Sequence, residues 1–184
     1  MAEQAAAGTS DATDGGELYR RLIDIGIALS AERDTNRLME TILLEAKNIG
    51  NADGGTLYIR TDDDKLKFEI MRTDSLKIAM GGTTGKPITF PPLAMFDPET
   101  GAANHRNVAT HAAVAGASIN IPDAYEAKDF DFAGTRKFDA GTGYRSQSFL
   151  TVPLKNSQNT VIGVLQLINA RDRATAATAS ACRN

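Results

Sequence analysis

The sequence predicts an α+β domain with a largely antiparallel sheet and helices packed on it, and three observations carry that prediction. Two helix-period stretches lie near the N-terminus, a charged hairpin follows, and two β-branched apolar runs come after an irregular aromatic segment. At 184 residues the chain has the size of one domain with ragged ends. Its 42% hydrophobic and 23% charged residues are those of a soluble globule, and a net charge of −3 offers no basic surface to a nucleic-acid backbone.

Residues 1–15, mostly Ala, Gly, Ser, Thr and Asp, read as a disordered tail, because such a composition buries too little apolar surface to offset ordering. No basic region followed by an apolar core occurs there, so neither a signal peptide nor a membrane anchor is expected, and the setting is cytoplasmic. From Glu17, the residues Leu18, Leu22, Ile25 and Leu29 recur at helical spacing, with Asp14 as the expected cap. Ile23 and Ile27 widen the stripe. That width suits a helix packed on its own sheet and equally one that buries a second face on a partner, which makes a homodimer through this helix the expected assembly. After the Ala31–Asp34 break, Asp34 or Thr35 caps a second helix carrying Leu38, Ile42, Ala46 and Ile49, antiparallel to the first or sharply angled to it.

Gly55–Arg60 and Lys65–Arg72 form a hairpin around Thr61-Asp62-Asp63-Asp64, and Leu66, Phe68 and Ile70 alternate with polar residues as in a half-buried strand. The aspartates lack the spacing and closing Glu of a calcium loop and read as a solvated turn. Ser75–Gly85 reads as a loop, Ile88–Phe90 as a short strand stopped by Pro91-Pro92, and Met95–His105 as an excursion. Asn107–Ala115 predicts a short helix ended by Gly116, feeding an extended segment to Ile121. An irregular, aromatic-rich segment follows, and then Ser148–Lys155 and Thr160–Asn169 as central strands. Residues 172–184 have no apolar period and read as a disordered or expression-derived tail.

Catalytic chemistry is sparse, and no enzyme is expected. The single cysteine, Cys182, sits in the tail, which removes an internal disulfide, a Cys-based metal cluster and the most obvious nucleophile. His105 and His111 have no acidic residue at metal-ligand spacing, and no nucleophile elbow, P-loop or dinucleotide glycine motif occurs. What remains is Lys137–Ser146. Gly141 and Gly143 loosen the backbone, Asp139, Thr142 and Ser146 offer an acceptor and two hydroxyls, and Tyr125, Phe130, Phe132, Phe138 and Tyr144 supply flat apolar surface. A small-molecule pocket and a plain turn over an aromatic core fit these residues equally.

Four blocks in order, Asn120–Tyr125 (NIPDAY), Thr142–Ser148 (TGYRSQS), Phe149–Asn156 (FLTVPLKN) and Val161–Asn169 (VIGVLQLIN), resemble the GAF domain family. The likeness is greatest to GAF domains of cyclic-nucleotide phosphodiesterases and of bacterial HD-GYP or cyclase signalling proteins. It extends from Glu17 to about Arg171 and implies one GAF-like sensory domain over residues 16–171, with a central antiparallel sheet, helices on one face and a ligand pocket on the other. The informative stretch is Phe138–Ser146 with Gln166 opposite. Along the family motifs, ligand contacts fall on Thr56, Val108, Ala109, Asp139, Thr142, Ser146 and Gln166. Asp139 would accept from a base amine, Thr142 and Ser146 would bond base or ribose, and amides near Val108 and Ala109 would face a phosphate.

Asn169 matches the family's Asn-Lys pair, but Ala170 replaces the lysine and the downstream Phe and Asp-Glu elements are absent, so the closing C-terminal elements are expected to be missing. The bilin-binding and sulfoxide-reducing branches need cysteines inside the domain. The resemblance thus implies a regulatory, small-molecule-sensing domain of a bacterial signal-transduction protein, with a cyclic nucleotide among its ligands and no required cofactor. Its output enzyme would be an HD-GYP phosphohydrolase or nucleotide cyclase outside this chain. The alternative is a ligand-free dimerisation or protein-interaction module.

Overall fold

The computed structural model describes residues 9–171, with side chains from Gly15 onward, so residues 1–8, the tail from 172 and Cys182 lie outside the described residues. Helix α1 spans Thr9–Ala31 and therefore begins inside the stretch read as a tail, which makes Asp14 an interior residue and not a cap. Helix α2 (Thr35–Ile49) is capped by Asp34, whose extended backbone lets its carboxylate accept from the amides of Asn36 at 2.9 Å and Arg37 at 3.1 Å. Arg21 pairs with Glu45 at 3.0 Å, equally far from the turn on either side, so the two helices run antiparallel. Among the described residues no helix is long and apolar enough to cross a membrane.

The sheet holds β1 (Ala52–Arg60), β2 (Lys65–Thr73), β3 (Ile78–Gly81), β4 (Leu93–Ala94), β5 (Ile119–Ile121), β6 (Phe149–Lys155) and β7 (Val161–Ala170). Its order is β3-β2-β1-β7-β6-β5, with β4 on β2 and every pairing antiparallel. Side chains alternate across the sheet, and the alternation separates two cores. On one face Leu43 of α2 packs with Leu57, Ile70 and Leu165. On the other, Tyr58, Leu66 and Val164 meet Ala109 and Ala113 of helix α3 (Val108–Ala115). Beside them Val108, Ile121, Phe132 and Phe149 form a third cluster, next to helix α4 (Ala133–Thr142). Helix α2 thus covers one face, and the opposite face, beneath the shorter α3 and α4, is hollowed.

Four local expectations are corrected. The strict alternation of Leu66, Phe68 and Ile70 fails, because Tyr58 faces Phe68 while Leu57 faces Ile70, leaving Glu69 as an extra residue in a bulge. Ile70 turns to α2 while Leu66 and Phe68 face α3. The bulge is fitted to Gly81, which has φ +69°, and a Cβ there would strike the Glu69 carbonyl. The segment read as a loop from Ser75 to Gly85 contains β3 and a 3-10 turn over Gly82–Thr84. The strand expected at Ile88–Phe90 is absent, and β4 forms instead beyond the two prolines. The segment read as irregular contains α4, which has no side-chain cap and carries Gly134 and Gly141 inside it, so local propensity gave no signal and tertiary contacts hold it. In the acidic turn Asp64 folds back on Arg60 at 2.5 Å and Asp63 pairs with Lys65 at 2.6 Å, so two of its three carboxylates are paired locally.

Candidate functional site

Between the α3 face of the sheet and the α3, α4 and Phe90–Leu93 segments lies a cavity of about 310 Å³. The sheet floor comes from Thr56 and Tyr58 of β1, Met71 and Thr73 of β2, and Gln166 and Ile168 of β7. The sides are largely aromatic. Tyr58 and Phe68 stand 4.7 Å apart, Phe68 and Phe90 5.5 Å, and Phe132 and Phe149 5.5 Å, so flat rings form two walls. Asn107, Val108, Thr135, Phe138, Tyr144 and Ser146 also line it.

Of the residues expected from sequence, Thr56, Val108, Phe138, Ser146 and Gln166 are brought together around this cavity. Ala109 is 1% exposed and packs into the core beside the cavity. Asp139 lies behind the wall. Its carboxylate accepts from the Tyr125 hydroxyl at 2.6 Å, the Ser146 amide at 2.8 Å and the Ser146 hydroxyl at 2.7 Å, so it positions a wall residue and does not itself face the cavity. Thr142 is exposed and its hydroxyl donates to the Phe138 carbonyl at 2.8 Å, a bond within its own helix. The loosened loop expected around Gly141 is the end of α4, closed by Gly143 in the left-handed conformation.

Hydrogen bonds fix the polar floor. The Gln166 amide nitrogen donates to the Thr151 hydroxyl at 3.0 Å, while its oxygen accepts from Tyr58 at 3.3 Å. Burial pushes the Tyr58 hydroxyl far above the usual phenol range, so it stays a donor. At the α3 end the Asn107 side chain accepts from the amides of Ala109 at 2.9 Å and Thr110 at 3.3 Å, so the Ala109 amide expected to face a phosphate already has a partner. Among the described residues no Lys, Arg or His lines the cavity, and its one charged wall residue is Asp131, paired with Arg106 at 3.6 Å. His105 and His111 meet edge to face, 4.8 Å between ring centroids, outside the lining, and no group of three metal-ligating side chains occurs among the described residues.

Sequence reasoning missed Tyr58, Met71, Thr73, Phe90, Asn107 and Thr135 as wall residues. Two of these had a signal. Tyr58 lies two residues beyond Thr56 on the same strand face, and Asn107 is a residue type that caps helices, at the start of the predicted short helix. Met71 and Thr73 did not, because the bulge at Glu69 shifts their face.

The GAF domain family profile matches residues 34–183. The chain is 44% identical over 62 residues to the dual 3′,5′-cyclic-AMP and -GMP phosphodiesterase 11 of Drosophila melanogaster, a match covering 34% of this chain and 4% of that protein. It is 43% identical over 54 residues to the dual 3′,5′-cyclic-AMP and -GMP phosphodiesterase 11A of Takifugu rubripes, covering 29% of this chain and 6% of that one. These matches thus span a small fraction of either phosphodiesterase. Among solved structures, the GAF domain of a phosphoenolpyruvate-protein phosphotransferase from Coxiella burnetii superposes with a TM-score of 0.59 at 15% identity, over 83% of this chain and 77% of that chain.

Proposed function

The chain belongs to the GAF domain family, and on that premise we propose that it is the cytoplasmic ligand-sensing module of a bacterial signalling protein, with the 310 Å³ cavity as its ligand site. The observation that carries this reading is an unfilled, ring-walled space with a hydrogen-bonded polar floor, the usual build of a small-molecule site. Phe132 and Phe138 stand in its wall, and Phe130 packs on Phe132 outside the lining, so the rings border the space and do not fill it. The output enzyme, of HD-GYP or nucleotide-cyclase type, belongs to the same proposal; its support is the motif resemblance alone.

A cyclic nucleotide is the specific ligand proposed. The likeness to the two phosphodiesterases supports it, and so do aromatic side chains in the same lining as Thr56 and Gln166, since flat rings suit a purine. With Asn107 holding the Ala109 and Thr110 amides, its phosphate would meet the Val108 amide and solvent. Calorimetric titration with cyclic AMP and cyclic GMP tests this clause. Saturable binding by either supports it, and silence from both removes it.

A second reading, dimerisation, has its own observation. Tyr19, Ile23 and Ile27 of α1 are 72%, 60% and 64% exposed, an apolar edge that the domain itself leaves uncovered. A homodimer through α1 is the occupant proposed for it. Light scattering of Ile23→Glu/Ile27→Glu against the unaltered chain checks this, with a dimer expected only in the latter.

A further inference from the structure

Tyr144 belongs to two environments. Its ring lines the cavity, while its hydroxyl points the other way and donates to Asp53 at 2.6 Å. Asp53, at the start of β1, is 4% exposed and gathers further donors: the Ser75 hydroxyl at 2.6 Å, the Ser75 amide at 3.3 Å and the guanidinium of Arg171. A carboxylate buried this deeply keeps its donors, because losing one leaves charge unpaired in a poorly solvated place. Arg171 is the residue at which the chain leaves β7. Its amide donates to the Asn51 carbonyl at 2.8 Å, and the Asn51 side chain donates to the Arg171 carbonyl at 2.5 Å.

A second grip lies alongside. The Asn169 side chain accepts from the Gln147 amide at 2.7 Å and donates to the Arg145 carbonyl at 2.7 Å. The segment from Tyr144 to Ser148 therefore supplies two cavity-wall residues and also clasps the last residues of β7.

We propose that Tyr144, Asp53 and Arg171 form a link that couples occupancy of the cavity to the conformation of the chain where it leaves the sheet. The proposal rests on the cavity being a ligand site. A ligand that displaces the Tyr144 ring moves its hydroxyl against Asp53, which either carries Arg171 with it or releases a bond. The made and broken states of this link are the two states a ligand biases, and by linkage a change at Arg171 acts back on the Tyr144 wall. The family match continues to residue 183, which places the link between the cavity and the segment that follows the sheet.

The test follows amide hydrogen exchange by NMR in the whole chain. Tyr144→Phe keeps the ring and removes the hydroxyl, and it should speed exchange at Arg171 by about fivefold, the equilibrium equivalent of one lost hydrogen bond. Central amides at Leu57 and Leu165 should be unaffected. Arg171→Gln should speed exchange at Tyr144, and the double variant should add little to either single change at residue 171. Tyr125→Phe, which takes a hydroxyl from Asp139 instead, should leave Arg171 unmoved. Unchanged exchange at Arg171 in Tyr144→Phe, or full additivity in the double variant, overturns the link. A separate arm adds cyclic GMP. If it binds, it should alter exchange at residue 171 in the unaltered chain and not in Arg171→Gln, and an equal response in both also overturns the link. If it does not bind, the cyclic-GMP form of the ligand proposal fails, while the variants still decide the link.

Discussion

Asp139 and Thr142 sit three positions apart in sequence and have opposite fates in the fold. Asp139 holds three hydrogen bonds behind the cavity wall, and Asp139→Ala should cost about 2–4 kcal/mol, because the buried amide and hydroxyl of Ser146 lose their acceptor. Thr142→Ala should stay within about 0.5 kcal/mol, since its hydroxyl is exposed and bonds only its own helix. Denaturant unfolding of the two variants checks this, and equal losses would contradict the placement. The sequence showed that these side chains could hydrogen-bond. It did not show the direction in which they point, which depends on α4 being a helix.

Glu40 gives the residue scale its pH dependence. Burial works to raise its carboxyl pKa, but hydrogen bonds from Thr83 and Arg72 outweigh burial and hold the group below the ordinary carboxylate range. A lowered folded-state pKa contributes stability that is fully present above the unfolded value of about 4.3 and is lost as pH falls through the folded one. Unfolding midpoints measured between neutral and acid pH should therefore drop below that value, and the drop should be smaller in Glu40→Gln.

At the scale of elements, the hairpin, the two central strands, α2 and α3 were legible, because period, capping residue and turn chemistry agree in each. The Asp34 and Asn107 caps form as their residue types require. Three pieces were not legible. A period-two pattern has no place for the extra residue at Glu69, β3 is four residues long and ends in a glycine, and α4 offers two interior glycines and no cap. Close strand packing makes its own prediction at Gly163, where a Cβ would strike the Tyr58 carbonyl on the neighbouring strand. Gly163→Ala should destabilise the sheet by about 1–3 kcal/mol in thermal or denaturant unfolding, and an unchanged midpoint would contradict the packing of β1 on β7.

For the whole molecule, the sheet divides the labour. One face buries its apolar side chains against α2, while the other is held open by α3, α4 and the Phe90 segment around a space that side chains leave free. Its existence was legible only through the ordered motifs. Its shape was not, since seven helices and strands and the loops between them contribute to the wall in an order that no local pattern encodes.

The central claim is that this space takes a small ligand, and Gly134 provides the direct test. It lies on α4 at the cavity lining, with nothing within 4 Å of a Cβ built there, so Gly134→Phe has room for its Cβ, adds bulk at the lining and removes a helix glycine. A thermal-shift screen of small metabolites, cyclic nucleotides included, should be run on the unaltered chain and on Gly134→Phe in parallel. The account predicts a compound class that raises the melting temperature of the unaltered chain in a saturable way and leaves Gly134→Phe unmoved. A screen in which nothing stabilises the unaltered chain, or in which both proteins respond alike, would contradict it.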